Sequence, residues 1–148
     1  RGSQLEAAYL EAIEEWEASP DAAAWDKTSG DGLTREAGEI RYADLEPQRG
    51  SEANERRPVV IVSNDGLNGA VRTLGRGVVT VVPLTSQTLK VHPFQVLLPS
   101  GDTGSADSKA QAEQVRALDS SRLGPPISRL SGALMASLDD ALRLHLAL

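Results

Sequence analysis

Apolar positions in this 148-residue chain follow two different rhythms. In residues 5–18, LEAAYLEAIEEWEA, Leu5, Tyr9, Ile13 and Trp16 recur at spacings of four and three, the repeat of a single helix face. Acidic residues fill the opposite face, and Ser19-Pro20 ends the pattern. A second stretch, DAAAWDKTSGDG, brings Trp25 and then breaks into turn residues. From about residue 38 the rhythm becomes that of short strands. GEIRYADL (38–45) alternates around Ile40 and Tyr42, while PVVIVS (58–63) and GVVTVVPL (77–84) are β-branched runs bounded by Gly, Pro and Asn, as buried strands should be. FQVLL (94–98) and SKAQAEQV (108–115) are shorter candidates, and NDGLNGAVRTLGRG and PSGDTGSAD read as loops. The end of the chain, SGALMASLDDALRLHLAL, places Leu134, Leu138, Ala141, Leu142 and His145 on one helix face, with Ser131 as its N-cap. Five or so short strands followed by a terminal helix predict a small, compact β-barrel-like α+β domain.

Charge divides the chain at the same place as the rhythm. Residues 1–34 hold eight acids against two bases, whereas residues 35–148 hold 13 of each, so the whole net charge of −6 lies in the first quarter. An acidic helical or extended tail with one narrow apolar stripe cannot bury enough surface to fold alone, so it must lie on something. Both tryptophans of the chain are in it, and Trp is a residue that anchors a segment in a partner's pocket. The core of the remainder is left to Val, Leu, Ile and Ala, because aromatics make up only 3% of the chain. With no cysteine, disulfides, thiolate metal sites and cysteine nucleophiles are excluded. No apolar run approaches the roughly 18 residues of a membrane span, so a soluble, cytoplasmic protein is expected.

The residues alone leave the chemistry open. His145 belongs to the apolar face of the last helix, where packing is its expected role. His92, in KVHPF, precedes a proline at a strand entry and is a candidate to face a groove. Asp139 and Asp140 are adjacent on a helix and diverge, which makes a poor two-ligand site. Gly75-Arg76-Gly77 is a turn signal rather than a phosphate loop. The polar segment GSEANERRP (50–58) puts Arg56 and Arg57 directly before a buried strand, an unusual entry for an apolar run.

Resemblance carries the reading further. GEIRYADLEPQRGSEANERRPVVIVSND, then VVTVVPLTSQT, VHPFQVLLP and DSKAQAEQVRALDSSRL, resemble the MazF/PemK toxins in the family's order. The likeness runs from about Gly38 to the C-terminus. It implies an SH3-like barrel fold, shared with the CcdB toxins, and a homodimer. It also implies a metal-independent, cofactor-free, sequence-specific endoribonuclease acting on single-stranded RNA. Residues 9–34 resemble, more loosely, the toxin-neutralising C-terminal tail of a MazE-type antitoxin. The chain then reads as residues 1–34, an inhibitory tail, joined to residues 38–148, the toxin, as engineering would produce. The antitoxin's DNA-binding half is absent, so DNA binding is not expected of this chain.

The same resemblance assigns site residues. Arg57, directly before the proline, corresponds to the arginine that contacts the scissile phosphate, and Thr85, after Pro83-Leu84, completes the catalytic pair. Glu52 matches the family's loop glutamate near the active site. Ser51 and Gln114 match positions near bound RNA; Ser86 and Arg56 are further candidates to touch substrate. Trp16, Trp25 and Ile13 are the expected anchors of the tail. A guanidinium supplies fixed donors and permanent charge to the anionic five-coordinate transition state of 2′-OH attack. The competing reading on this fold is a CcdB-like, non-enzymatic inhibitor of DNA gyrase, which has no need of the Arg57–Thr85 pair.

Overall fold

The computed structural model describes residues 2–18, 37–45, 56–104 and 106–148. Helix α1 (Gly2–Ala18) is followed by strands β1 (Glu39–Asp44) and β2 (Arg56–Ile61), helix α2 (Asp65–Leu74) and the long strand β3 (Val78–Thr85). Then come β4 (Gln95–Leu98), the short helix α3 (Ser100–Thr103), β5 (Ser108–Gln111), β6 (Arg116–Asp119), β7 (Leu123–Arg129) and helix α4 (Gly132–Leu146). Single 3-10 turns, Ala112–Gln114 and Ser120–Arg122, flank β6. None of the helices is long and apolar enough to cross a membrane, among the described residues.

All recorded strand pairs are antiparallel, in the order β4-β5-β3-β2-β1-β7, with β6 also on β3. Strand β3 organises the sheet. Along one edge it pairs with β2, and along the other it pairs first with β6 through Val78–Val81 and then with β5 through Leu84 and Thr85. Pro83, which has no N–H to give, falls in the gap where that neighbour changes. The α+β class is as expected. Among the described residues the sheet is not closed into a barrel, because the end strands β4 and β7 are not paired with each other.

Alternation along the strands creates two apolar layers. One gathers Ile40, Val60, Val82, Leu84, Val96, Leu98 and Ala110 under Leu138 and Ala141 of α4. The other gathers Ala43, Val59, Ile61, Val79, Val81 and Leu118, with Val71 of α2 and Trp16 of α1 packed against them. Helix α4 is capped as the sequence predicts, the Ser131 hydroxyl accepting from the Leu134 N–H at 3.2 Å. Helix α2 corrects the reading of 64–77 as a loop. The Asn64 side chain accepts from the Leu67 N–H at 2.9 Å, and Gly75, at φ 73°, ends the helix in the left-handed conformation that glycine adopts without cost. Strands β6 and β7 were also absent from the expected set.

Candidate active site

Register brings the two expected catalytic residues together. Val59 lies opposite Pro83 in the β2–β3 pairing, and continuing that register by two residues sets Arg57 opposite Thr85. Thr85 is in turn paired with Lys109 of β5, and Lys109 with Leu97 of β4. Arg57, Thr85, Lys109 and Leu97 therefore form a row across four strands, on the face that also carries Val59, Ile61, Val79 and Val81. Arg57, Thr85 and Lys109 are buried, at 6%, 2% and 0% exposure. The Thr85 hydroxyl oxygen accepts from the Gln87 N–H at 3.2 Å, which fixes its position at the end of β3. Arg57 is placed by its strand: it opens a run of five buried residues that fills the sheet centre and holds the guanidinium at the rim.

Helix α1 lies along this row. The Trp16 ring sits over the Arg57 guanidinium, 4.5 Å from ring centroid to Cζ, a cation–π contact strengthened by the burial of the cation. Beside it, Glu15 Oε1 is 2.8 Å from Lys109 Nζ, which also donates to the Lys90 carbonyl at 2.6 Å. Glu11 Oε2 meets Lys90 Nζ at 2.9 Å, and that hydrogen bond holds its carboxyl below the usual carboxylate range. Glu11 Oε1 is 4.0 Å from His92 Nε2. Three residues before Ala12, Tyr9 stacks on Phe94 with centroids 4.0 Å apart and planes at 5°, and its hydroxyl meets His145 Nδ1 at 2.8 Å. Ala12 is wholly buried, small enough to let the backbone approach the sheet. The docked face is thus Tyr9, Ala12, Glu15 and Trp16.

That face corrects one anchor. Ile13, expected beside Trp16, is 44% exposed. Glu11 and Glu15, read as solvent-facing, turn instead to Lys90 and Lys109, and this rotation carries Ile13 outward. Trp25, Ser51 and Glu52 lie outside the described residues.

Arg56 is not part of the row. It alternates to the opposite side of β2, exposed, with its guanidinium 5.6 Å from the Tyr42 ring centroid. There it lines a groove with Asp44, Ser121, Arg122 and Gly124. Ser86 and Gln114 are half-buried, Ser86 directly after Thr85 and Gln114 at the end of the 3-10 turn that follows β5.

Under α1 the floor is polar. Gln95 and Gln111 are cross-strand partners, both buried. Gln95 donates to Glu113 Oε2 at 3.0 Å and accepts from the His92 N–H at 3.0 Å. Burial raises the Glu113 carboxyl above its ordinary value and pushes the His92 imidazole below its own, the latter helped by the Lys109 charge. Burial also raises the Tyr9 phenol. His92 therefore leans to its neutral form. Lys109, Phe94, Glu11 and Glu15 were not singled out by sequence reasoning. The i, i+4 spacing of Glu11 and Glu15, which puts two carboxylates on one side of α1, was the available signal.

The family model described as PemK-like, MazF-like toxin of type II toxin–antitoxin systems matches residues 36–146. The chain is 58% identical over 112 residues to Endoribonuclease MazF9 of Mycobacterium tuberculosis, a match spanning 75% of this chain and 95% of that protein. It is 34% identical over 113 residues to Endoribonuclease EndoA of Bacillus subtilis, covering 75% and 93%. Among solved structures, MazE-MazF (Form-III) from Deinococcus radiodurans superposes with a TM-score of 0.62 at 26% identity, covering 78% of this chain and 99% of that one.

Proposed function

The chain belongs to the PemK-like, MazF-like toxins of type II toxin–antitoxin systems and is an endoribonuclease, and we propose that Arg57 and Thr85 carry its chemistry while helix α1 holds it shut. The ribose 2′-OH attacks the adjacent phosphorus, and the 5′-oxygen of the next nucleotide leaves with a proton, giving a 2′,3′-cyclic phosphate and a 5′-OH. Charge builds on the non-bridging oxygens. Arg57 meets it with a permanent cation held without mobility at the rim of the sheet, and Thr85 offers a hydroxyl beside it. A guanidinium is too weak an acid to shuttle protons readily, so its work is electrostatic. Single-stranded RNA is the substrate, a C2 homodimer is the working form, and the gyrase-inhibitor reading gives way to the nuclease family.

One observation carries the inhibitory role of α1: Trp16 covers the guanidinium of Arg57 while the neighbouring Glu15 neutralises Lys109. An acidic helix laid on a row of cations takes the place of a nucleic-acid backbone. A mycobacterial endoribonuclease in complex with its cognate antitoxin and a MazE-MazF complex are among the structural relatives, and α1 does the antitoxin's work from within the same chain. Tethering supports this, since a short linker raises the local concentration of the helix to about the millimolar range.

The test is cleavage of a long RNA by the intact chain and by residues 37–148, with mapped ends and excess chelator in parallel. The shortened chain should cleave at least tenfold faster, leave cyclic phosphate ends in chelator, and fail on RNA carrying 2′-deoxyribose at its mapped sites. Equal rates for the two chains would sink the inhibitory role, and loss of cleavage in chelator would sink the metal-free chemistry.

A further inference from the structure

We infer that Lys109 and Phe94 form a substrate subsite beside the catalytic row, taking a flanking phosphate and its base, and that Glu15 and Tyr9 of α1 occupy it in the closed chain. The inference rests on the nuclease reading of Arg57 and Thr85, and adds the residues that hold the strand next to them.

Lys109 is an uncommon lysine. Its side chain is wholly buried, it is the register partner of Thr85, and Glu15 is its side-chain counterion at 2.8 Å. A buried ammonium stripped of its carboxylate is strongly disfavoured. When α1 leaves, the ammonium is uncovered on the path past Thr85, and a phosphate there can take the place of the Glu15 carboxylate. Phe94 is equally particular. The face that Tyr9 covers is matched ring to ring, nearly parallel at 4.0 Å, with the His92 ring 5.5 Å away and also stacked. That is the geometry in which an aromatic side chain holds a nucleobase.

Around this pair lie polar groups that α1 leaves unsatisfied. Gln111 Oε1, Glu113 Oε1 and His92 Nε2 are buried without a hydrogen-bond partner. Two acceptors and a ring nitrogen beside an aromatic face are what a base edge with amino and imino donors would satisfy. On α1, Tyr9 and Glu15 are six residues apart, about 9 Å along the helix, which keeps the stacked ring and the carboxylate as separate contacts. The helix presents ring, then carboxylate, then the indole over Arg57, and a strand of RNA offers base, then phosphate, then the scissile phosphate.

The experiment uses the full chain carrying Trp16→Ala, which loosens α1, and follows RNA cleavage as kcat and KM across ionic strength. Adding Lys109→Met should raise KM about tenfold with kcat within about twofold, and should flatten the slope of log kcat/KM against log salt by about 0.7, the loss of one phosphate contact to a single strand. Lys109→Arg should restore the slope. Phe94→Leu should raise KM about tenfold without changing the slope, and Phe94→Trp should recover it. An unchanged salt slope in Lys109→Met, with folding intact by circular dichroism, would overturn the phosphate role. A Phe94→Leu variant with parental KM would overturn the base role. Arg57→Ala in the same background separates the two levels: if it cleaves normally, the catalytic reading itself is wrong, whatever Lys109 does.

Discussion

Replacing Trp16 by alanine in the intact chain is the most direct perturbation of the closed state. The indole is half-buried against the layer of Val59, Ile61, Val79 and Val81 and covers the guanidinium of Arg57. Hiding about half of an indole's roughly 200 Å² at about 25 cal/mol per Å² contributes about 2.5 kcal/mol. The cation–π contact with a buried guanidinium adds about 0.5–2 kcal/mol. Together they come to about 3–4.5 kcal/mol, which lowers the docking constant of α1 by about a hundredfold to a thousandfold. Cleavage should rise by that factor, or to the rate of residues 37–148 if that ceiling comes first. The assay is initial-rate cleavage of a fluorogenic RNA at fixed ionic strength, with circular dichroism to show that the sheet is intact. A folded Trp16→Ala chain that cleaves no faster than its parent, while the shortened chain cleaves rapidly, would refute the placement of the indole as the plug.

Other outcomes follow from the same geometry. In the shortened chain, Arg57→Ala and Thr85→Ala should each lower kcat by about a hundredfold or more, the cost of losing a preorganised donor, while His92→Ala should cost less than tenfold; equal damage from His92 would make it the proton-transfer group. Glu113→Gln should melt higher than the parent at pH 7–8. Burial raises this carboxyl, so its folded-state penalty is full above the raised value, fades as pH falls from there to the ordinary 4.5, and is gone below it; the gap in Tm should close towards pH 4, and a constant gap would deny the ionisation as its source. Light scattering at micromolar concentration should return the mass of a dimer, the commonest closed assembly, and a monomer would overturn the homodimer as the working form.

The apolar rhythm made β1 to β4 and both long helices legible, because their apolar residues are also the ones that fill the two layers, whereas β5, SKAQ, holds no Val, Ile or Leu. Strands β6 and β7 were hidden by their own chemistry. RALD buries one leucine, and LGPPISR holds two prolines, so neither shows the alternation of a half-buried strand; their partners on β3 and β1 create them. Helix α2 was obscured by Gly66, Asn68 and Gly69, although Asn64 and Gly75 mark both ends; Asn68 is kept inside by giving its amide to the Ser63 carbonyl at 2.7 Å. At the site, Arg57 and Thr85 were recognisable only through resemblance, since a strand-opening arginine and a strand-ending threonine have no pattern of their own. Lys109 was invisible for a different reason. A lysine in a polar four-residue strand reads as solvated, and only the β3–β5 register and the acidic helix above it turn the residue into a buried cation beside Thr85.

On the proposed reading, helix and substrate are alternative partners of Arg57 and Lys109, and this sets how the closed state should respond to its surroundings. Salt weakens every phosphate contact of a bound RNA strand, and with it the affinity of the open enzyme. It weakens the exposed Glu11–Lys90 pair as well, but it barely screens a pair as buried as Glu15–Lys109. The apolar burial of Tyr9, Ala12 and Trp16 does not depend on charge, and the cation–π contact of Trp16 with the buried Arg57 is little screened. Rising ionic strength should therefore favour the helix over the RNA, so the intact chain stays closed in salt where a purely electrostatic plug would simply dissociate. The aromatic residues make the difference: without Tyr9 and Trp16, a peptide that imitates a nucleic-acid backbone would lose its grip under the same conditions as the nucleic acid it imitates.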